Sequence, residues 1–440
     1  MTKRSFLFSA VLFLLFLFGG CGSKYTMTEL LSLPKLSEEY IELQNALDKL
    51  LSEGAGFCAP LSGSHRQSVQ FYDVNGDGTD EALAFLRSAG ERPLSIHILI
   101  QEDGKFISAA VIDGAGTGID SVTYLDMDGD GWAEIIVGWS MGSDIKMLSV
   151  YSLKSFQVSP VINCDYTQYA VADLTADGRQ ELITLRTAGA DKGGTAELYE
   201  IALDGEPVSA TARLSLGLEG ISHISTGSLT DGVNALFVEG SIQNNLITDI
   251  LVYSDGILKN ISISAESGIS DSTLRSSVVS CRDMTYDGIM EVPRPRALHS
   301  QGETVYRVLD WYSYSSRGEA SLQLTTYHNF SDSWFLVLMP EWMESITIRR
   351  EDGMNGERAV VFSRWLNDES SVEDFLTVYT ISGENRDELS RRNGLFILYR
   401  GVDLIVAAEL KQSSWEYSPD IPYILNHFSL IYSDWVSGLQ

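Results

Sequence analysis

The chain has 440 residues, 44% of them hydrophobic and 21% charged, with a formal net charge of -29. That length exceeds what one hydrophobic core organises, so two structural units behind a leader are expected, and the composition leaves little room for long disorder. A surface this acidic repels phosphate backbones and anionic headgroups, which excludes nucleic acid as a partner and favours cations and neutral or basic proteins.

Lys3 and Arg4 precede an apolar run from Phe6 to Phe18, broken only by Ser9, and then Gly19-Gly20-Cys21-Gly22-Ser23. This is the layout of a cleavable export signal over residues 1–20, and the run is too short to stay in a bilayer as a spanning helix. Cys21 behind two glycines resembles the lipobox of bacterial lipoproteins, with Phe18 where that family prefers Leu. The resemblance implies acylation of the Cys21 thiol. The body would then sit at the outer face of a bacterial membrane, touching it only through the lipid. Two or three acyl chains, at roughly 0.8 kcal/mol per buried methylene, make a stable anchor.

Residues 21–66 read as a linker with one amphipathic helix. Leu36, Tyr40, Leu43, Leu47 and Leu50 recur at helical spacing, Ser37 suits the N-cap, Glu38 and Glu39 suit the first turn, and Gly54 can end it. Its acid-rich polar face favours packing on the protein over lying on a membrane. Cys58, Cys164 and Cys281 are an odd set that cannot all pair with one another, so buried or free thiols, or one disulfide between two of them, are the readings.

From residue 67 the chain repeats itself. Asp73–Glu81 read DVNGDGTDE, Asp126–Glu134 DMDGDGWAE, Asp173–Glu181 DLTADGRQE and Asp283–Glu291 DMTYDGIME. A degenerate copy, GSLTDGVNA, lies at Gly227–Ala235, keeping only the Asp231-Gly232 pair. Successive starts fall roughly 47 to 56 residues apart, the length of a four-stranded propeller blade. A β-prone stretch leads into each full copy (Val69–Tyr72, Val122–Leu125, Tyr169–Ala172, Val278–Ser280), and apolar runs leave the first three. Each loop therefore joins two strands.

Calcium takes six to eight hard oxygens, and a short loop supplies them when alternate side chains point inward. Positions 1, 3 and 5 do so: Asp73, Asn75 and Asp77; Asp126, Asp128 and Asp130; Asp173, Thr175 and Asp177; Asp283, Thr285 and Asp287. Glycine at position 6 permits a positive-φ turn. Position 7 (Thr79, Trp132, Arg179, Ile289) can add its carbonyl, and the acid at position 9 (Glu81, Glu134, Glu181, Glu291) closes the cage. An EF-hand differs, because its closing Glu stands at position 12 between helices. Asp-Gly pairs also make plain solvated turns, but a turn needs none of the outer acids. Gly227, Leu229 and Ala235 have lost the ligands, so that copy is expected to hold no metal.

These loops resemble the calcium-binding FG-GAP or VCBS repeats of integrin α-subunit propellers and their bacterial relatives, over roughly Val69–Tyr327. The Phe-Gly and Gly-Ala-Pro signatures of that family are not visible in the repeats. The expected fold is mainly β: a propeller of about five four-stranded repeats over 67–328, then a small α+β domain over 329–440. In the latter, six strand-like segments precede a helical spacing in Ile424, Leu425, Phe428 and Ile431. The alternative is a single seven-bladed propeller.

Catalysis finds no support in the sequence. None of His65, His97, His223, His299, His328 and His427 stands at a metal-ligand spacing from another or beside a nucleophile, and no phosphate loop, nucleophile elbow or paired-Cys zinc pattern occurs. In Asp310-Trp311-Tyr312-Ser313-Tyr314, strand alternation sends the Trp and the tyrosines to opposite faces, which favours core packing over a sugar-stacking platform. The expectation is a non-catalytic, calcium-stabilised binding or scaffolding module for an envelope or extracellular protein, with carbohydrate as the alternative ligand and an envelope hydrolase a distant third.

Overall fold

The computed structural model describes residues 38–432, apart from 115, 143, 190–191, 203–205, 277–278, 300–303, 354–355 and 367–370. The leader and Cys21 lie outside the described residues. The described chain is mainly β, in six antiparallel sheets that follow one another along the sequence. The first runs from Gly56–Phe57 to Lys105–Gly114, the second from Gly118–Leu125 to Ser159–Asp165, the third from Gln168–Ala172 to Pro207–Leu216 and the fourth from Gly220–Ser228 to Ile257–Asn260. The second, third and fourth are meanders of neighbouring strands, and in the first both Gly56–Phe57 and Val69–Tyr72 pair with Glu81–Arg87. The fold is propeller-like.

Each sheet packs a face on the next, which explains why the second strands are apolar at successive positions instead of alternating. In Glu134–Ser140, Ile135 and Val137 pack with Leu83 and Phe85 of the first sheet, while Ile136 meets Leu182 of the third. In Glu181–Arg186, Ile183 and Leu185 face Leu236 and Val238 of the fourth sheet. In Asn234–Ile242, Phe237 faces Val292 and Tyr314 of the fifth. Each such side chain contributes about 1.5–3 kcal/mol when fully buried. The opposite face of the first sheet is covered by α1 (Glu38–Ser52), whose Leu43 and Leu47 lie on Ala82, Ala84 and Leu86. Gly54, at φ 95°, ends the helix by donating to the Leu51 carbonyl at 3.1 Å. Tyr40, read as part of the apolar stripe, stands 58% exposed at the helix edge.

The boundary expected after residue 328 falls inside the fifth sheet. Ala320–Asn329 pairs with Trp334–Leu338 from Asn329 opposite Trp334, and Phe428–Leu430 returns from the end of the chain to pair with Trp334–Leu336. The fifth and sixth sheets also share a core, in which Tyr327 and Trp334 meet Phe362, Phe375 and Trp415. The sixth sheet spans Ile346–Asp352 to Leu404–Leu410, with short α2 (Arg386–Leu389) against it. The terminal helix α3 (Ile421–His427), capped by Asp420, stops before the expected end because Phe428 turns extended and enters the sheet. Val292–Ala297, with Pro293 and Pro295, is an edge strand, where missing N–H groups are tolerated. Among the described residues no helix is long and apolar enough to cross a membrane.

Candidate metal centres

In the first three copies the loop begins where the incoming strand ends, and its position 9 opens the outgoing strand. In the fourth the incoming strand is reduced to a bridge between Arg282 and Glu291, and part of the expected lead-in lies outside the described residues. All four share one hydrogen-bond scheme. The position 2 side chain (Val74, Met127, Leu174, Met284) is buried, and its N–H donates to one oxygen of the position 9 glutamate at 2.9, 2.9, 2.7 and 2.7 Å. The N–H of position 6 donates to the position 1 carboxylate at 2.8, 3.1, 3.1 and 2.8 Å. The N–H of position 7 (Thr79, Trp132, Arg179, Ile289) donates to the position 5 carboxylate at 2.8, 2.8, 2.8 and 2.9 Å.

Gly78, Gly131, Gly178 and Gly288 have φ of 87°, 90°, 89° and 85°, as the sharp turn requires. Position 4 is also left-handed: Gly76 and Gly129 take it freely, whereas Ala176 and Tyr286 adopt φ 59° at a steric cost.

Position 3 separates the loops. Asn75 donates to Asp77 and Glu81, each at 3.0 Å, and the Thr175 and Thr285 hydroxyls donate to Glu181 at 2.9 Å and Glu291 at 3.4 Å. Asp128 has no such proton. Oxygens of Asp126, Asp128 and Asp130 gather within 4.8 Å of one another, as do those of Asp173, Asp177 and Glu181. The three acids of the first loop (Asp73, Asp77, Glu81) and of the fourth (Asp283, Asp287, Glu291) do not converge that closely.

The closing glutamates are nearly fully buried. Burial, reinforced by the neighbouring aspartates, pushes Glu134 and Glu291 up to about 7 and raises Glu81 and Glu181. Burial also raises Asp128. Two loops carry a basic side chain of the protein: Lys154 Nζ lies 2.8 Å from Asp130 Oδ2, and Arg179 makes a forked pair with Asp177 at 2.7 and 3.1 Å. The donor set is all oxygen, with one oxygen of each closing glutamate directed at its own backbone. Such a set suits a hard divalent cation.

The loops lie along one rim and touch in order. Val74 accepts from the Ala133 N–H at 2.9 Å, Asn234 donates to the Asp173 carbonyl at 2.7 Å, and Ser228 donates to the Gly288 carbonyl at 3.2 Å. The degenerate copy keeps the positive-φ Gly232, but its position 2 is the half-buried Ser228, and the buried Leu229 stands at position 3. Its Asp231 carboxylate instead accepts from the Ser316 N–H at 3.1 Å and hydroxyl at 2.6 Å, pinning a turn of the fifth sheet. The common apolar position 2 and the left-handed position 4 escaped the sequence reading, although aligning the copies displays the first.

Residues 73–137 match the family model of the FG-GAP-like repeat. The repeat is of the FG-GAP-like type. Among solved structures, the chain is similar to a Lactobacillus plantarum protein, 10% identical, over 72% of this chain and 86% of that one, with a TM-score of 0.28. Rhamnogalacturonan lyase YesW is 14% identical over 72% of this chain and 74% of its own, with a TM-score of 0.28. A Bacillus licheniformis rhamnogalacturonan lyase is 12% identical over 73% and 72%, with a TM-score of 0.26. No curated protein matches.

Elsewhere, Cys58, Cys164 and Cys281 are free thiols. Trp311 is buried in one core and Tyr314 in another, on opposite faces of their strand. Neither is available as a stacking platform.

Proposed function

We propose that this chain is a calcium-stabilised, propeller-like binding module, exported and lipid-anchored through Cys21, that serves an envelope or extracellular protein as a non-catalytic scaffold. The observation that carries the calcium reading is the buried glutamate closing each of four loops of one geometry. A carboxylate held off water among two or three other acids is costly unless a cation shares the site. Calcium would be held by the oxygens of positions 1, 3 and 5 and by the position 9 oxygen that does not take the position 2 N–H, displacing the side-chain donors of Asn75, Thr175 and Thr285 from it, with the position 7 carbonyl completing the set. Bound there, it neutralises the rim and ties incoming to outgoing strands, so that the surfaces beside it are presented rigidly.

Calcium should raise the melting temperature of chelator-stripped protein, and Asp126→Ala/Asp130→Ala should lose most of that rise. An unchanged rise would contradict the assignment. Maturation should stop when signal peptidase II is inhibited with globomycin, and normal processing under the drug would remove the anchor.

One observation favours carbohydrate as a second reading. Tyr40 and Phe71, both exposed, line a cavity of about 440 Å³ with Phe106 and with Gly78, Thr79 and Asp80 of the first loop. Ring faces beside polar groups are the chemistry that stacks a sugar. A pull-down from envelope extract and a glycan array, each with and without calcium, separate the two: glycan binding lost in Tyr40→Ala/Phe71→Ala would support the second.

A further inference from the structure

The second loop differs from the first in having a basic side chain from outside the loop on its position 5 ligand. Lys154 belongs to the connection between Lys146–Ser152 and Ser159–Asp165, and its ammonium lies 2.8 Å from Asp130. The counterpart in the first loop, Asp77, meets no Lys or Arg among the described residues; its carboxylate accepts from Asn75 and from the Thr79 N–H. The Lys154 connection is also shaped toward the loop. Ser155 and Phe156 take left-handed φ of 55° and 57°, Leu153 is fully buried, and the Phe156 ring stands edge-on to Trp132 at 5.1 Å. Non-glycine residues hold that conformation only where their surroundings impose it.

We infer that Lys154 is a tethered counter-ion of the second loop, which holds Asp130 in place when no metal is bound and weakens calcium binding there when metal arrives. This rests on the calcium reading of that loop. The physical reason is charge. An ammonium in contact with a ligand carboxylate neutralises part of the field that attracts a divalent ion and repels the ion itself once it is bound. The same contact relieves the repulsion among Asp126, Asp128 and Asp130 in the metal-free protein. Lys154 is a positioning residue, because it acts through Asp130, and its removal moves two properties in opposite directions. A merely structural role would lower both.

The side chain is 66% exposed, so it can be replaced without opening a core. Trp132, at position 7, supplies a local readout: terbium, a calcium surrogate that prefers hard oxygens, emits when an adjacent indole is excited. Wild-type protein, Lys154→Met, Lys154→Gln and Lys154→Arg would be titrated with terbium, and melted in chelator. In Lys154→Met and Lys154→Gln the terbium concentration at half-saturation should fall about three- to tenfold, while the melting temperature in chelator also falls. Lys154→Arg should stay near wild type in both. Unchanged or weaker terbium binding in the two neutral variants would overturn the inference while leaving the calcium reading intact. Absence in the wild type of indole-sensitised emission that calcium displaces would instead remove calcium from the second loop, and the inference with it.

Discussion

The second loop, Asp126–Glu134, and the degenerate copy, Gly227–Ala235, both reverse the chain on an Asp-Gly pair, but the second loop joins strands paired at Leu125 and Glu134, and the degenerate copy closes a shorter hairpin between Ser228 and Asn234. Each buries an apolar residue, Met127 at position 2 or Leu229 at position 3, and each turns on a positive-φ glycine, Gly131 or Gly232. Only the second loop surrounds a buried glutamate with converging carboxylates, whereas Asp231 is satisfied by Ser316 and position 9 is Ala235. A reversal on an Asp-Gly pair thus forms without the oxygen cage, and it is then shorter. The reversal needs only the Asp-Gly pair; the outer acids serve something else, which we assign to calcium.

Four experiments bear on that contrast, the largest effect first. Leu174→Ala and Leu229→Ala remove the buried apolar plug of a full copy, at position 2, and of the degenerate copy, at position 3, and each should cost about 2–5 kcal/mol of stability with or without calcium. A calcium-dependent difference between them, in denaturant melts, would tie plug and cage together. Next, calcium at about 100 times its dissociation constant stabilises a one-site fold by about 2.7 kcal/mol. Asp126→Ala/Asp130→Ala should forfeit that contribution of the second loop, measured as the calcium-induced rise in melting temperature. Asp231→Ala should leave the rise untouched.

The third concerns pH. Burial holds Glu134 and Glu291 at about 7 in the metal-free fold, above their ordinary 4.5. Their contribution to stability is therefore complete below the ordinary value and is lost as pH rises through about 7, since the unfolded chain releases those protons first. In chelator the melting temperature should fall between pH of about 5 and about 8. Glu134→Gln/Glu291→Gln should flatten the fall, and a rise over that window would contradict the burial argument. The smallest effect is that of Asp231→Ala itself, about 1 kcal/mol from two lost hydrogen bonds to Ser316.

Much of this was legible in the sequence because the loops announce themselves: oxygens at alternate positions before a fixed glycine, with β-prone stretches around them. The α1 stripe was legible for the same reason, through the spacing of Leu43 and Leu47. The end of the chain was not. Phe428 and Ile431 continue the helical spacing of Ile424, yet Phe428–Leu430 is a strand, since three residues carry no period and the partner Trp334–Leu336 lies far away in sequence. Likewise the boundary expected after residue 328 rested on the loop motif ending there, but the motif marks one rim of a sheet, not its extent. Lys154 was invisible to a reading by spacing. It reaches the second loop from a connection 20 residues beyond Glu134, held by two left-handed residues that no pattern signals.

Calcium uptake by the four cages is tested most directly by titration calorimetry of chelator-stripped protein. Saturable heat of calcium uptake, reduced in Asp126→Ala/Asp130→Ala and unaltered in Asp231→Ala, is the result expected. A flat titration at concentrations up to about a thousandfold above those of the protein would contradict it, and the acids of the rim would then be only a solvated edge of the turns.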